Sequence, residues 1–542
     1  MRPPAALRQL VEFCQRSSRS RGIFPPMLNG NSRPKFRDFF ARYFDAIVVV
    51  IALLAFSFAA HNAYSGLGQY GDWYDQGVYL ESARLMSRGY RQYTEIFASQ
   101  PPLWLPAVSL SFHVFGENLL AAQILTATSG LVILVAVMLA AGQVSGRGSG
   151  VFAGVLIVLS PTELEWSRVV VPEVPFAALA AIGMALAIRY VRNGNRMWLI
   201  AAACAIACSI LIKMLGLFVL PSLMALAIAR WASFAGIHRL QRLRSMAADM
   251  LIIAVTIAVV IGSCSLRSYS EHMWNQVVTF HLVARSVYPP MPVAQRLYLI
   301  ARFMKDERLL IAVSPLAVLC LMDGFEGAAI LAWPAFTFLG LIYQRPLFSH
   351  HLIALIPAVA VAAGVGSGYC GALSATFFRW CTTQSYPMRT AWRAAYVAAA
   401  IAVAVVLVRE GWLAANQQET LVNTALDEHK DESMAQTIDQ NTGPGEMVAT
   451  DAQSVAFLAE RDVPPELADT SFLRIQTGYL SSEEFIRASE KYHVRLLLFW
   501  TGRLNTVPGL VEWARANFPR RLDFGNGRVL YMSDDPSNTK VR

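Results

Sequence analysis

The sequence concentrates ionisable and aromatic side chains in the segment YDQGVYLESARLMSRGYRQYTEIFASQPPLW, residues 74–104. The segment follows an apolar stretch that is long enough to enter a membrane, yet it contains Asp75, Glu81 and Glu95. A carboxylate in this place can act as a general base that removes a proton from an incoming hydroxyl. Asp75 and Tyr79 also recur at helical spacing, and Asp is a favoured cap residue. The spacing alone therefore leaves a base and a helix cap as open alternatives for Asp75.

Three further motifs place polar side chains beside apolar stretches. Arg168 and Glu173 lie in TELEWSRVVVPEVPF, Lys213 in SILIKMLGLFVLP, and His350 with His351 in QRPLFSHH. Ionisable groups at membrane depth are costly, so they are candidates for a functional site. An ion pair between Arg168 and Glu173, or an acid in the first turn of a helix, explains the first motif without chemistry. Lys213 can simply extend its ammonium to the membrane surface, where it can also meet a lipid phosphate.

The paired histidines raise the question of a metal site. Histidines can bind zinc, but no Cys or carboxylate stands at metal-binding spacing beside His350 and His351, so we predict hydrogen bonding or phosphate contact instead. The chain has seven cysteines, and none follows residue 381, so no disulfide framework is indicated. Taken together, the polar motifs predict a cationic, aromatic cavity with one or two carboxylates, which suits an anionic lipid headgroup.

Apolar helices must position these side chains. The chain has 542 residues, of which 55% are hydrophobic and 15% charged, whereas a soluble domain has about 25% charged residues. Apolar stretches recur from residue 46 to 408, each about as long as a membrane-crossing helix requires. The sequence therefore predicts a polytopic α-helical membrane protein with about 11 transmembrane helices.

We predict individual spans from the apolar stretches and their polar boundaries. The stretch 103–117 is apolar but short, and it is expected to lie along or dip into the outer interface, because counting it as a span would reverse every later loop. Residues 1–45 are a basic segment without the apolar core of a signal peptide, so the first span is expected to be an uncleaved anchor. The predicted spans are 46–61, 118–142, 148–166, 173–191, 197–213, 214–230, 247–266, 308–323, 326–343, 351–369 and 392–409.

Charge predicts the orientation. The formal net charge is +9, and the basic residues cluster at one set of span ends, which the positive-inside rule assigns to the cytoplasm. An odd number of spans then places the C-terminal residues outside. Because the basic excess follows the span ends, we exclude nucleic acid as a partner. The clusters contain Arg189, Arg192, Arg196, Arg230, Arg239, Arg242, Arg244, Arg379, Arg389 and Arg393.

The pattern changes after residue 409. Short β-type runs, EMVAT, VRLLLFW and RVLYM, alternate with the helical stretches SSEEFIRASEKY and PGLVEWARANF. This alternation predicts a small extracytoplasmic α/β domain over residues 410–542. It would follow a transmembrane domain over 46–409 whose first outer loop is 62–117.

The order of these motifs resembles the GT-C superfamily of polyprenyl-phosphate-sugar-dependent glycosyltransferases. The similar branch contains the protein O-mannosyltransferases, the lipid A aminoarabinose transferase and the rhizobial galacturonosyltransferases. Its members have an outer first loop with Asp-Glu-x-x-Tyr followed by Pro-Pro-Leu. Asp75, Tyr79 and residues 101–103 match this pattern. Gln76 stands in place of the usual Glu, and Gln100 stands where several relatives have Lys.

The resemblance implies a GT-C-like membrane domain and a single inverting displacement. Asp75 would deprotonate the acceptor hydroxyl while the sugar leaves a polyprenyl phosphate, and Glu173 would belong to the same catalytic site. The implied partners are the lipid-linked donor, a lipid, glycan or protein acceptor and membrane lipids, and no metal or cofactor is expected. The implied location is the bacterial cytoplasmic (inner) membrane, with the active site extracytoplasmic. The implied substrate-binding residues are Tyr79, Gln100, Arg168, Lys213, His350 and His351.

Two other classes of protein fit parts of the pattern. A transporter or flippase of a lipid-linked anion would also need a cationic cavity among many spans. The sequence shows no inverted repeat and no ionisable group in the middle of a span, which disfavours that class. A membrane-anchored sensor with an outer ligand-binding domain is disfavoured because anchoring requires far fewer spans.

Overall fold

A computed structural model describes residues 34–68, 74–232, 238–268, 271–382 and 429–533, together with separate helical positions between 391 and 416. Most of the predicted basic segment 1–45 and much of the predicted span 392–409 lie outside the described residues. Helices dominate the part before residue 383, and the described sheet lies after residue 447.

Seven described helices are long and apolar enough to cross a membrane by length and composition. Three shorter apolar helices accompany them, and every predicted span that falls on described residues overlaps one of the ten. The predicted multi-pass helical membrane architecture is therefore confirmed. The long helices are Ala46–Tyr64, Leu119–Ser145, Glu173–Asn193, Met214–Ala232, Arg239–Ser265, Arg308–Tyr343 and Ser349–Ser374, and the short ones are Trp104–Phe115, Arg147–Val158 and Arg196–Ile212.

The predicted span 148–166 consists of two helices rather than one. The helix Arg147–Val158 ends, and Ser160 then caps a second helix, Pro161–Trp166, by accepting a hydrogen bond from the backbone N–H of Glu163 at 3.2 Å. Proline has no backbone N–H to continue the preceding helix but suits the first turn of a new one. The break follows from the Ser-Pro pair.

Polar contacts at the helix ends fall on two opposite faces of the helical bundle. On one, which we call the Glu173 face, the ammonium of Lys213 pairs with Glu173. On the other, the Arg192 face, the guanidinium of Arg192 lies 3.4 Å from Asp323 and 3.0 Å from Glu326. Contacts between other helix ends agree with this division: the guanidinium of Arg230 donates to the Tyr190 carbonyl on the Arg192 face, and that of Arg168 donates to the Asn62 carbonyl on the Glu173 face.

The long stretch Arg308–Tyr343 reverses direction at Gly324. Glu307, just before the stretch, accepts a hydrogen bond from Ser160 on the Glu173 face at 2.7 Å. The chain then runs through the 3₁₀ segment Ser314–Asp323 to the Arg192 face, where Gly324 adopts a φ of 63° that favours glycine. The stretch is therefore two antiparallel segments, in agreement with the two separate spans predicted there.

The helix Trp104–Phe115 covers most of the stretch whose place in the membrane decides the direction of later spans. It has 12 residues, about 18 Å at 1.5 Å per residue, whereas the hydrocarbon core is about 30 Å thick. Leu110 and Val114 are exposed on it, and Trp104 is fully buried. Its length agrees with the prediction of an interfacial element.

The C-terminal domain, here residues 429–533, contains four strands: β1 (Val448–Thr450), β2 (Leu496–Phe499), β3 (Arg520–Asp523) and β4 (Val529–Met532). Their order is β1-β2-β4-β3, with β1 parallel to β2 and the other neighbours antiparallel. The predicted β-type runs became β1, β2 and β4, whereas β3 was not predicted. The helices are His429–Asn441, Gln453–Leu458, Phe472–Gln476, Ser482–Lys491 and Leu510–Asn517.

Helices and turns not named above complete the described chain. The first span extends back to Pro34, so its helix is Pro34–Tyr64. The segment before Arg308 contains Glu271–Trp274, the π-helix Asn275–Thr279, Phe280–Val287 and Val293–Phe303. Helix Ile356–Thr382 follows the 3₁₀ turn Ser349–Ala354, and the turn Met214–Val219 precedes Leu220–Ala232.

Candidate active site

Asp75 lies in the first turn of the helix Tyr74–Ser87, which we call the loop helix. The side chain is half-buried. Burial raises the pKa of the Asp75 carboxyl, the charges of His350 and Lys213 oppose this shift, and the charge of Glu173 adds to it. Asp75 therefore lies within electrostatic reach of residues that are far away in the sequence, and the fold brings these predicted site residues together.

Glu173 is the centre of a buried polar cluster on the Glu173 face. It begins its helix, and its carboxylate accepts a hydrogen bond from Lys213. The Nε2 atoms of His350 and His351 lie 3.4 and 4.0 Å from the same oxygen of Glu173. Lys213 extends from the irregular backbone between two helices, where its extended conformation ends one helix before the next begins. The cluster collects an acid, an ammonium and two imidazoles.

The same cluster could hold a metal ion, because donor atoms of Glu173, His350 and His351 lie within 4.8 Å of one another. The sequence argument against a metal was that no carboxylate stands near the histidines along the chain. That argument was wrong, since the fold supplies Glu173 from a distant segment. The ammonium of Lys213, however, already occupies an oxygen of this carboxylate. The absence of a metal stays a prediction.

Tyr79 and Gln100 meet beside the cluster. The side-chain amide of Gln100 donates a hydrogen bond to the Tyr79 hydroxyl at 3.2 Å. The backbone carbonyl of Gln100 accepts a hydrogen bond from the Tyr93 hydroxyl at 2.8 Å. The Tyr79 ring meets Trp104 edge to face, with centroids 5.6 Å apart. The loop helix and the segment before Trp104 thus form one wall, which positions two predicted substrate-binding residues.

Aromatic rings also surround His350. Trp166 meets its imidazole edge to face with centroids 5.1 Å apart, and Phe348 stacks on it at 5.4 Å. Such ring contacts fix the plane of the imidazole. Sequence reasoning did not single out Trp166, although the residue stands in one of the quoted motifs.

Arg168 contacts the first helix rather than Glu173, whereas Glu173 does lie in the first turn of its helix, which is one of the alternatives in the sequence analysis. The Arg168 guanidinium donates to the backbone carbonyls of Asn62, with Nε at 3.1 Å, and Ser65, at 2.8 Å, near the end of the first span. Among the described residues, Glu173 forms its ion pair with Lys213 and lies beside the two histidines. Arg168 ties the loop before Glu173 to the first helix, because buried carbonyls at a helix end require donors.

Gln76 supports the same loop. Its side-chain carbonyl accepts a hydrogen bond from the backbone N–H of Val170 at 2.9 Å, and the residue is buried. The position at which relatives usually carry Glu therefore holds a neutral hydrogen-bond acceptor here. Gln76 and Arg168 together fix the backbone that leads into Glu173.

The C-terminal domain lies directly on the loop helix. Gly77 permits this approach, since a Cβ there would stand 2.5 Å from the backbone nitrogen of Ser454. At the start of the loop helix, the Tyr74 hydroxyl accepts a hydrogen bond from the backbone N–H of Thr470 at 2.9 Å. Phe112 stacks on Phe457 with ring centroids 6.0 Å apart. The helix that carries Asp75 is therefore held from both sides.

A buried ionic network reinforces this contact and was missed from sequence. Arg84 pairs with Glu81 and, at 3.2 Å, with Asp462, and Glu81 also accepts from the backbone N–H of Val463 at 2.9 Å. Burial raises the pKa of Glu81 to about 7. Arg88 pairs with the second oxygen of Asp462. Glu81 stands in the segment 74–104, but Asp462 and Val463 are far away in the sequence, so no local pattern predicts these contacts.

The arrangement can support proton removal and charge neutralisation within one site. A carboxylate with a raised pKa is a suitable general base near neutral pH. A buried ammonium and adjacent imidazoles can stabilise negative charge that develops on a leaving group. The loop helix supplies the base, and two other segments supply the ammonium of Lys213 and the imidazoles of His350 and His351.

Comparisons with known proteins agree with this architecture. Residues 89–265 match the family model described as dolichyl-phosphate-mannose-protein mannosyltransferase. Among curated protein sequences, none matches the chain. ArnT from Cupriavidus metallidurans bound to undecaprenyl phosphate has a TM-score of 0.61 and 15% identity, with 91% of this chain and 98% of that chain covered.

Two further solved structures share the fold. The apo state of the same ArnT has a TM-score of 0.60 and 17% identity, again over 91% of this chain and 98% of that chain. The archaeal oligosaccharyltransferase AglB from Archaeoglobus fulgidus, in complex with an inhibitory peptide and a dolichol-phosphate, has a TM-score of 0.54 and 12% identity, over 92% and 75% of the two chains. The family-model match over residues 89–265 and the shared fold agree with the predicted class, a membrane glycosyltransferase of the GT-C type.

Proposed function

We propose that this protein transfers a sugar from a polyprenyl-phosphate donor to an acceptor hydroxyl with inversion, with Asp75 as the general base. The observation that carries the proposal is the placement of Asp75 within electrostatic reach of Glu173, Lys213 and His350 on one face of the bundle. A sugar at the membrane surface would meet both the base and the cationic groups there.

The reaction needs one displacement. The acceptor oxygen forms a bond to C1 of the sugar as the bond from C1 to the phosphate oxygen breaks. The phosphate leaves with the bonding electron pair, and the acceptor proton passes to Asp75. A phosphate is stable as an anion, so the leaving group requires electrostatic stabilisation rather than a strong acid.

The cationic groups have distinct parts in this proposal. Lys213 is buried and stands at a break between helices, where its ammonium can face both Glu173 and a donor phosphate. His350 and His351 border the same carboxylate and can donate hydrogen bonds to phosphate oxygens. Glu173 holds the three together, and Tyr79 with Gln100 would contact the sugar. ArnT was solved with undecaprenyl phosphate bound, which supports a donor of this chemical class.

We place the site on the extracytoplasmic side of a bacterial inner membrane. The Arg192 face carries basic residues at the ends of several spans, including Arg196, Arg230 and Arg242. The positive-inside rule assigns such a face to the cytoplasm. The Glu173 face and the C-terminal domain would then lie outside, where a lipid-linked sugar donor and an envelope acceptor meet.

The proposal is tested by turnover of a panel of radiolabelled polyprenyl-phosphate sugars by the purified protein in lipid, with a membrane extract as acceptor source. We expect the wild type to consume one donor. Asp75→Asn should lower transfer by roughly a hundredfold to ten-thousandfold while keeping the temperature of unfolding, because the amide cannot accept the proton. Glu95→Gln, a carboxylate change at the surface of the same loop, is the control and should keep full activity. Full activity of Asp75→Asn would refute the assigned base.

A further inference from the structure

A cavity lies at the edge of the sheet in the C-terminal domain, apart from the Glu173 cluster. β1 and β2 are parallel, and the turn between β3 and β4 returns to the same edge because Val529 pairs with Phe499. Ligands of open α/β sheets bind outside the carboxyl ends of parallel strands. A cavity of about 520 Å³ is found at this edge, lined by Tyr74, Trp500, Thr501, Arg503, Asn526 and Arg528.

A buried carboxylate shapes one wall of this cavity. Asp451 directly follows β1, is fully buried, and accepts hydrogen bonds from the backbone N–H groups of Trp500 at 2.7 Å, Thr501 at 3.1 Å and Leu504 at 3.1 Å. The loop that carries Arg503 is thereby fixed in place. A binding site built on such a loop loses little conformational entropy when a ligand arrives.

Two guanidinium groups face aromatic rings in the cavity. Arg528 lies 4.7 Å from the centroid of the Trp500 ring, and Arg503 lies 3.6 Å from that of Tyr74. Among the described residues neither guanidinium forms an ion pair, and the buried Nε of Arg503 has no hydrogen-bond partner there. A buried donor without an acceptor is uncommon. Both arginines keep charge and hydrogen bonds to offer to a ligand.

The nearby carboxylates are already engaged. Asp431 accepts a hydrogen bond from the indole N–H of Trp500 at 2.7 Å, and Asp469 accepts one from the backbone N–H of Ser471 at 2.8 Å. Asp451 is satisfied by the loop described above. The uncommitted groups of the cavity are therefore cationic donors and aromatic faces.

We propose that this cavity binds an acidic sugar unit of the acceptor, one that carries a phosphate or a carboxylate. The planar fork of an arginine matches either anion in a bidentate manner, and an aromatic ring can cover the apolar face of a sugar. Tyr74 connects the cavity to the active site, since it lines the cavity and immediately precedes Asp75. This inference rests on the proposed function, because it assigns the acceptor class of the same site.

The test is a binding measurement on the full-length protein in nanodiscs of neutral lipid. Saturation-transfer NMR titrations would use glucose 6-phosphate, galacturonate and glucose as probes. We expect one or both acidic sugars to bind at least tenfold more tightly than glucose, and the stronger of the two identifies the anion. Arg528→Gln should weaken that binding about tenfold, the value of one lost charge-assisted contact, whereas Arg528→Lys should weaken it less.

The matched control is Arg515→Gln, which removes an exposed charge from a helix of the same domain and should leave binding unchanged. Equal binding of glucose and the acidic sugars, binding of none of them, or equal effects of Arg528→Gln and Arg515→Gln would each overturn the inference. The measurement needs no turnover, so its result is independent of the donor assay with Asp75→Asn. A failed donor assay would refute the proposed function, and a failed titration would refute only the acidic acceptor.

Discussion

At Glu173 one buried carboxylate serves an ammonium and two imidazoles. Lys213 donates to it directly, and His350 lies 3.4 Å from the same oxygen. A charge buried in this way is stable only with its partners present, because its solvation by water has been lost. The cluster can therefore be essential for folding, for binding the donor phosphate, or for both, and mutations can separate the two.

Lys213→Met should lower the temperature of unfolding strongly, since it leaves Glu173 buried without its closest partner, a loss of about 3–5 kcal/mol. The double variant Lys213→Met with Glu173→Gln should recover most of the thermal stability, because no unpaired charge remains. Donor affinity should stay low in both variants if the ammonium also binds the phosphate. Scanning fluorimetry and equilibrium donor binding give the two readouts.

The control for this pair is Lys305→Met, which removes an exposed lysine near Asp306 and should change neither readout. Recovery of donor affinity in the double variant would show that Lys213 acts only as the structural partner of Glu173. The phosphate role would then pass to His350 or His351.

The ionisation of Asp75 should be visible in the pH dependence of transfer. A general base must be ionised, and burial raises the pKa of Asp75 above the usual value of about 3.9. Activity should therefore fall with decreasing pH at a higher pH than an exposed aspartate would cause. The quantity to measure is kcat/KM for the donor between about pH 4 and 8. The phosphodiester of the donor stays ionised throughout this range, so the donor itself does not contribute to the pH dependence.

Glu81 is the competing explanation for such an acid limb, since its pKa is raised to about 7. Glu81→Gln keeps a side-chain carbonyl that can accept from the backbone N–H of Val463 but cannot titrate. The acid limb should persist in this variant. Its disappearance would assign the limb to the ionic network beneath the C-terminal domain rather than to the base.

At the scale of elements, the close contact between the loop helix and helix Gln453–Leu458 decides how firmly Asp75 is held. Gly77→Ala should loosen this contact, because the new Cβ would stand 2.5 Å from the Ser454 nitrogen. This effect opposes the helix preference, which favours alanine over glycine by about 1 kcal/mol. We expect a lower temperature of unfolding and faster proteolytic release of the C-terminal domain.

Gly262→Ala provides the matched control for this change. Gly262 also lies inside a helix, Arg239–Ser268, but no atom stands within 4 Å of its added Cβ. There the helix preference should act alone and raise stability slightly. Equal responses of the two glycines would show that the loop helix and the C-terminal domain separate readily.

The elements differ in how far the sequence predicts them, for physical reasons. Long apolar stretches predict spans because the bilayer fixes their length, and β2 is a run of buried leucines. β3, with the sequence RRLD, is exposed and charged, and only its pairing with β4 makes it a strand. Asp75 was singled out by its motif and the family resemblance. The ion pair between Arg84 and Asp462 could be seen only in the structure, since no local pattern links residues so distant in sequence.

For the whole molecule, contacts between helix ends assign them to two opposite faces, with Arg192 beside Asp323 and Glu326 on one and Glu173 beside Lys213 on the other. The contact of the C-terminal domain with the loop helix adds an independent constraint, because it places residues 429–533 on the Glu173 face whatever the path of the chain before them. The charge pattern then decides which face is cytoplasmic. Orientation and count of crossings can thus be tested together.

Single cysteines introduced at Asn517 and Asn193, in a variant without the native cysteines, report the two faces. Asn517 ends an exposed helix of the C-terminal domain, and Asn193 is exposed near Arg192. A membrane-impermeant maleimide applied to spheroplasts should label position 517 at once and position 193 only after permeabilisation. The reverse pattern would invert the orientation and remove the proposed site from the outer side. Labelling of both positions from one side would mean that the C-terminal domain and the end of the helix at Asn193 lie on the same face. The structure predicts otherwise, because Asn193 adjoins Arg192, which contacts Asp323 and Glu326 on the Arg192 face.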